Sequence, residues 1–179
     1  MFPMLKKFKQ LFSKGTAKFD FEEKLVTIED QKFTLRKAVQ KDAVEYMKIQ
    51  ETIYPIPVPW PIDVVQMEIA NKKALYLSLV DTDQVIAFIG ISLSDKEESH
   101  ITNLAVHEDY HRMGIGHLLL NQAFDYCRAR DYKKMSLEVD VANEPAIALY
   151  DAFGFKVKTV HKKYYFRNHH DALEMMVDL

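Results

Sequence analysis

A single cysteine, a net charge close to zero and the lack of any long apolar run each close off a class of protein. Cys127 is the one cysteine among 179 residues, so no disulfide can form within the chain, and a reducing cytoplasm fits. A net charge of −2 offers no basic footprint, so direct nucleic-acid binding by the domain is not expected. No apolar stretch approaches the length of a membrane span. What is present, 48% hydrophobic and 28% charged residues, belongs to a soluble globular chain, long enough for one domain with a sizeable core.

The first residues differ from the rest. Lys6, Lys7, Lys9, Lys14 and Lys18 are set among Phe2, Leu5, Phe8, Leu11 and Phe12 at near-helical spacing. The lysines interrupt any signal-peptide apolar core, and no small-residue cleavage site follows one. Residues 1–24 therefore read as a lysine-rich extension to a domain over 25–179. It is either a loosely docked terminus or a basic amphipathic helix suited to an anionic surface such as membrane or ribosomal RNA.

Along the domain, strands are expected at 25–28, 32–36, 74–80, 84–92, 99–106, 134–141, 155–160 and 172–177. Helices are expected at 41–51, 62–71, after Gly114, and from Asn143 to a stop at Gly154. A loop with four prolines spans 54–61. Strands 74–80, 84–92 and 99–106 in succession suggest a meander. Without repeats or linkers, the alternation predicts one α/β domain with a mixed sheet.

The most informative stretch runs from Ile101 to Leu120: a strand, a polar turn with Gly114 and Gly116, and an amphipathic helix. Glycines at such a turn let backbone N–H groups approach a ligand where the helix start favours negative charge, as for a pyrophosphate. The dinucleotide fingerprint is missing, because Leu119 stands where its third glycine belongs. A P-loop is excluded by the lack of Gly-Lys-Ser/Thr. The same segment contains His107-Glu108-Asp109-Tyr110-His111, which matches the H-E-x-x-H string of zinc proteases. That chemistry needs both histidines on one helix. The strand pattern up to Val106 and the helical pattern starting only after Gly114 place them around a turn instead.

His111-Arg112-Met113-Gly114-Ile115-Gly116 resembles the acyl-CoA signature R/Q-x-x-G-x-G/A of the GCN5-related N-acetyltransferases (GNAT), with His111 in place of Gln or Arg. Asn143-Glu-Pro-Ala-Ile-Ala-Leu-Tyr-Asp-Ala-Phe-Gly-Phe155 is similar to that family's second signature, N-x-x-A-x-x-L-Y-x-x-x-G-F, at every fixed place. The resemblance implies a single-domain GNAT fold: a mixed, mostly antiparallel sheet splayed between two central strands, with helices on both faces. It also implies acetyl-CoA as cosubstrate and no metal. Residues His111, Arg112, Met113, Gly114, Ile115, Gly116 and His117 would cradle the pyrophosphate. Leu104, Ala105 and Val106 would line the acetyl-pantetheine, Asn143 would touch its arm, and the Tyr150 hydroxyl would face its sulfur.

Acetyl transfer to an amine needs a base, an oxyanion donor and a proton for the leaving thiolate. Glu138, on the polar side of the alternating strand 134–141, is the candidate base, acting directly or through water, and Tyr150 the candidate acid. Each also has a plain structural reading, as a hydrogen-bonded strand carboxylate and as a core aromatic. Leu137-Glu-Val-Asp-Val-Ala-Asn143, Lys163-Tyr164-Tyr165, Pro59-Trp60 and Ile101-Thr-Asn-Leu-Ala-Val106 resemble the RimI branch, which acetylates N-termini of ribosomal proteins. This likeness runs from about Lys32 to the C-terminus and implies an α-amine acceptor on a peptide or ribosomal protein, with Trp60, Tyr164 and Tyr165 lining the acceptor groove. Phe166-Arg-Asn-His-His170 departs from that branch. The alternatives left open are a small-molecule amine or lysine acceptor, a silent CoA-binding sensor, and a zinc protease.

Overall fold

The computed structural model describes residues 19–54, 60–93, 97–165 and 168–179. The lysine-rich start up to Lys18, the prolines of 55–59, and Phe166 and Arg167 lie outside these. Eight strands form one sheet among the described residues, in the spatial order β1-β2-β3-β4-β5-β6-β8-β7. The strands are β1 (Lys24–Ile28), β2 (Gln31–Lys37), β3 (Ala74–Asp81), β4 (Gln84–Ser92), β5 (Glu98–Val106), β6 (Lys134–Asp140), β7 (Lys156–His161) and β8 (Ala172–Asp178). Between them run helices α1 (Asp42–Ile53), α2 (Ile62–Ala70), α3 (Ile115–Arg128) and α4 (Glu144–Ala152). The expected meander is present as β3-β4-β5, each pair antiparallel.

The sheet separates two cores. Leu75, Leu77 and Leu79 of β3 point into one with Ile115, Leu119, Ala123 and Phe124 of α3, and Tyr150 of α4. Ala74 and Tyr76 point into the other with Ala43, Tyr46 and Ile49 of α1 and Val65 of α2. The two-residue period of the strand thus loads both faces, which is why β3 and β4 read as continuous apolar runs. The chain before β1 is tied on as well. Phe19 and Phe21 pack against the larger core, and Lys37 Nζ donates to the Phe19 carbonyl.

One buried polar knot anchors α1. Asp42, 2% exposed, accepts from Arg36 at 2.6 and 2.9 Å, from the Val39 N–H at 3.0 Å and from Ser78 Oγ at 2.8 Å. These donors, the Arg36 bond first, hold its carboxyl below the usual range against the opposing effect of burial.

Two features open the sheet where a ligand can enter. β5 and β6 are its one parallel pair, and their ladder runs only from Glu98↔Lys134 to Ile101↔Leu137. Beyond that, β5 continues to Val106 paired only with β4, and β6 to Asp140 paired only with β8, so the two strands part. A bulge accompanies the parting: Gly90 pairs with Asn103 and Ile91 with Ile101, leaving Thr102 without a partner on β4. Gly90 is required there, since a Cβ would lie 2.3 Å from Tyr76 Cζ and 2.7 Å from Thr102 Oγ1. The Tyr76 hydroxyl and Thr102 Oγ1 are hydrogen-bonded at 2.9 Å.

Candidate active site

The turn before α3 has the shape of an anion cradle. Gly114 is the N-cap with φ 77°, a left-handed conformation that glycine adopts without strain, and Arg112 has φ 64°. No side chain caps the helix and no acid stands in its first turn, so the N–H groups of Ile115, Gly116 and His117 are left for a ligand. A Cβ on Gly114 would meet nothing within 4 Å, whereas one on Gly116 would come within 3.2 Å of Leu149 Cδ2. The two glycines therefore differ in purpose: Gly114 shapes the turn, and Gly116 lets α3 approach α4. Ile115 and Met113 direct their side chains to the core, and the His117 ring lies 5.6 Å from Phe153.

His107 and His111 flank a single 3-10 turn, Glu108–Tyr110, as the strand pattern required. His107 Nδ1 accepts from the Asp109 N–H at 3.3 Å, while His111 Nε2 contacts the Val106 carbonyl at 2.8 Å. The rings serve different partners and do not share a helical face, which removes the geometry of the zinc-protease reading. His111 instead ties the cradle to the end of β5, a contact open to His in the place of Gln or Arg.

Just past the end of β5, the His107 N–H donates to the Ile86 carbonyl on β4 at 2.8 Å. Backbone groups alternate along a strand, so Leu104 and Val106 present theirs to the gap, and Ala105 turns its own to β4. The Ala105 side chain is buried in the smaller core, so the three neighbours are not equivalent toward a cofactor arm. Asn143 is the N-cap of α4; its Oδ1 accepts from the Ala146 N–H at 3.2 Å.

β6 presents Leu137 and Val139 to the core that contains Tyr150, and Ser136, Glu138 and Asp140 to the opposite face. Glu138 stands across from Glu174 on β8, and its carboxylate is 3.1 Å from His100 Nε2. His161 Nε2 bonds Glu174 at 2.5 Å, and donor atoms of Glu138, His161 and Glu174 lie within 4.8 Å of one another. These are groups that metals also use, although here His161 and Glu174 are already hydrogen-bonded to each other. Asp140 is held by His170 Nδ1 at 2.9 Å and Asn168 at 3.2 Å.

Tyr164 and Tyr165 close over this acidic face. Their rings meet edge to face with centroids 5.3 Å apart. Burial, then the charges of Glu138 and Glu174, push the Tyr164 hydroxyl upward; burial, then Asp140, does the same for Tyr165. Tyr150 is 7% exposed, and burial followed by Tyr54 raises its hydroxyl well above the ordinary value. It therefore stays protonated through the neutral range. Trp60 stands apart from these tyrosines. Only 8% exposed, it packs with Tyr46, Ile49 and Tyr76 in the smaller core, and Gln50 brackets its backbone at 3.2 and 3.5 Å. The core role of an aromatic, open at the sequence level, is the one its environment supports.

Sequence reasoning missed Tyr54, His100, Ser136 and Asp140. Tyr54 follows the last turn of α1 and influences both Tyr150 and Tyr165, yet in sequence it reads only as the start of a proline loop. The polar alternation of strand 134–141 pointed at Ser136 and Asp140 as well as Glu138 and gave no means of choosing among them.

Comparison with known proteins agrees with this geometry. A profile of the Acetyltransferase (GNAT) family matches residues 42–155. A Bacillus subtilis protein, provisionally named a ribosomal protein bS18 alanine N-acetyltransferase, is 32% identical over 147 residues, covering 78% of this chain and 97% of that one. An N-alpha-acetyltransferase of Saccharolobus solfataricus is 32% identical over 146 residues, covering 74% and 86%. The crystal structure of the Escherichia coli ribosomal-protein-S18-alanine N-acetyltransferase superposes with a TM-score of 0.73 at 26% identity, over 82% of this chain and 93% of that one. The splayed sheet, the glycine turn ahead of α3 and the profile match over most of the domain have one meaning: this chain is an acetyltransferase of the GNAT family.

Proposed function

We propose that this acetyltransferase works in the cytoplasm and moves the acetyl group of acetyl-CoA to the N-terminal α-amine of a peptide or protein, with a ribosomal protein as acceptor, as the names of its relatives suggest. The carrying observation is the parting of β5 and β6 beyond Ile101 and Leu137. It leaves Glu138 on one face of the gap beside Tyr164, while Tyr150 belongs to the core on the other. No described helix is long and apolar enough to cross a membrane.

The residues present suit the cosubstrate: an uncapped helix start, a left-handed Gly114 with open space where a Cβ would stand, and a strand edge free of its parallel neighbour. Residues 111–117 would hold the pyrophosphate. Backbone groups of Leu104 and Val106 would hold the acetyl-pantetheine and steady the oxyanion. The Asn143 amide nitrogen, not needed for capping, would bind the arm. When bound, acetyl-CoA supplies the thioester that the amine attacks. Glu138 takes the amine proton, directly or through water, and Tyr150 gives one to the departing thiolate. Tyr164 and Tyr165 form the wall against which the acceptor lies.

The acceptor preference follows from proton chemistry. An α-amine of pKa about 7.7–8.0 is roughly a tenth neutral at pH 7, whereas a lysine near 10.4 is neutral in only about four parts in ten thousand. One carboxylate base manages the first far more readily. Mass spectrometry of a peptide with a free N-terminus and an internal lysine, after incubation with acetyl-CoA, tests this. Acetyl mainly on lysine, or only on small amines such as polyamines, would overturn the acceptor assignment.

A further inference from the structure

Four side chains run in a line along β5 and β6 on the face that carries Glu138. Glu98 accepts from Ser136 Oγ at 2.5 Å, Ser136 Oγ meets His100 Nδ1 at 2.9 Å, and His100 Nε2 lies 3.1 Å from Glu138 Oε2. The parallel register makes the line, since Glu98 pairs with Lys134 and His100 with Ser136. Ser136 is 3% exposed, so its partners are set by protein rather than by bulk water.

Two of these contacts are hydrogen bonds and the third is an ion-pair approach at 3.1 Å; each is favourable only with a proton on one of its two atoms, because lone pairs that close repel. A serine brings one proton and a neutral imidazole one, while ionised carboxylates bring none. Two protons cannot fill three contacts. If Ser136 donates to Glu98, then His100 must donate from Nδ1, and the approach of Nε2 to Glu138 is left without a proton unless the cluster holds one more. If Glu98 carries that extra proton, Ser136 turns to donate to Nδ1, and the imidazole proton lies on Nε2. The remaining arrangement puts that proton on Glu138 itself and leaves Nε2 bare, which a carboxylate that must accept a proton does not allow; with Glu138 ionised, the proton lies on Nε2.

We infer that His100 is a positioning residue that presents an Nε2–H to Glu138, with Ser136 and Glu98 holding the ring in that orientation and protonation state. The inference rests on Glu138 being the base. Its chemical purpose is to keep that carboxylate ionised and aimed. Glu138 faces Glu174 of β8 across the ladder, His161 of β7 beyond it, and Tyr164 and Tyr165 from the loop that follows. With one carboxylate beside another, a proton would otherwise be drawn onto Glu138 and block it as a base. The His100 proton, beside Glu138 Oε2, offsets the neighbouring charge.

Nitrogen NMR of histidine-labelled enzyme, with the His100 signal assigned by its loss in His100→Gln, tests this apart from any activity. A proton on Nε2 across the pH range in which the enzyme works is the expected result. A bare Nε2 with the proton on Nδ1 alone would overturn the inference. Kinetics supply the second readout. His100→Ala should lower kcat about tenfold, the low end of what loss of a supporting partner costs, and move the acid limb of the peptide kcat/KM profile to higher pH. Acetyl-CoA affinity should not change. His100→Gln, which keeps an N–H donor without a cationic form, should recover kcat on the alkaline side and leave the acid limb displaced. Full activity and an unmoved profile in His100→Ala would count against the role. A fully active Glu138→Gln enzyme would instead remove the base while leaving the NMR result standing.

Discussion

Glu138 and Glu174 stand directly opposite each other on β6 and β8, two carboxylates on one face of adjacent strands, with His100 beside the first and His161 beside the second. Like charges placed directly across a ladder destabilise it unless something offsets them. The two histidines bring ring nitrogens to these carboxylates from the flanking strands β5 and β7, and the pair therefore responds to changes on either side. His161→Ala should leave Glu174 uncompensated next to the base. The expected outcome is a peptide pH–rate profile whose acid limb lies at higher pH, with the alkaline plateau and acetyl-CoA binding preserved. An unmoved acid limb would show that Glu138 does not sense Glu174.

Removing the chemistry itself should act more strongly. Tyr150→Phe keeps the ring that packs 5.6 Å from Phe155 and deletes only the hydroxyl, so acetyl-CoA binding should survive while turnover falls by about 10²–10⁴-fold. Glu138→Gln should slow the reaction too, most at low pH where little amine is neutral. Wild-type turnover in Tyr150→Phe would return that residue to a packing role.

The cradle makes a prediction that separates folding from binding. A Cβ at Gly114 touches no protein atom within 4 Å, so Gly114→Val should fold, at a cost set by its φ of 77°, which a β-branched residue resists. The ligand's backbone approach should nevertheless be lost. Wild-type protein should gain thermal stability with acetyl-CoA, as any native-state ligand confers, and the variant should gain none. An equal shift in both would place the pyrophosphate elsewhere.

Much of this site was legible because local signals carry it. The alternation of Met135, Leu137 and Val139 against Ser136 and Glu138 fixes which side chains share a face, and the Gly114 turn is written within a few residues. What was not legible depends on register between distant segments. His100 meets Ser136, 36 positions away, only because β5 and β6 are parallel in one particular register, and no local pattern encodes that. The Thr102 bulge likewise depends on the Tyr76 ring lying over Gly90. Trp60 was drawn toward the acceptor groove by resemblance, yet its burial depends on α1 supplying Gln50 and Ile49, which periodicity alone does not bring into contact with it.

Glu68 on α2 gives a pH effect unconnected with catalysis. It is 3% exposed, and burial, only partly opposed by the Asn71 hydrogen bond, raises its carboxyl from 4.5 to about 7. The folded state thus binds the proton more tightly than the unfolded one. The stabilisation is complete below the unfolded value near 4.5 and is lost as pH rises through about 7. A shift of this size corresponds to roughly 3 kcal/mol. Urea melts should show Glu68→Gln gaining on wild type between pH 5 and 8, since the amide stays neutral. Parallel pH dependences in the two proteins would show that Glu68 ionises without penalty.

The two aromatic sites should separate by phenotype. Trp60 packs in the smaller core against Tyr46 and Tyr76, so Trp60→Ala should destabilise the fold by about 3–5 kcal/mol, as emptying a large aromatic site does. Once folded at low temperature, its peptide KM should be close to wild type. Tyr164 lies within electrostatic reach of both Glu138 and Glu174 and on the wall proposed for the acceptor. Tyr164→Ala should therefore raise peptide KM with a smaller change in stability and none in acetyl-CoA binding, the pattern expected when binding common to ground and transition states is removed. Denaturation curves and steady-state kinetics on the two variants decide between the assignments. A raised peptide KM in Trp60→Ala at wild-type stability would reverse them, moving the acceptor from the tyrosine wall to the proline loop.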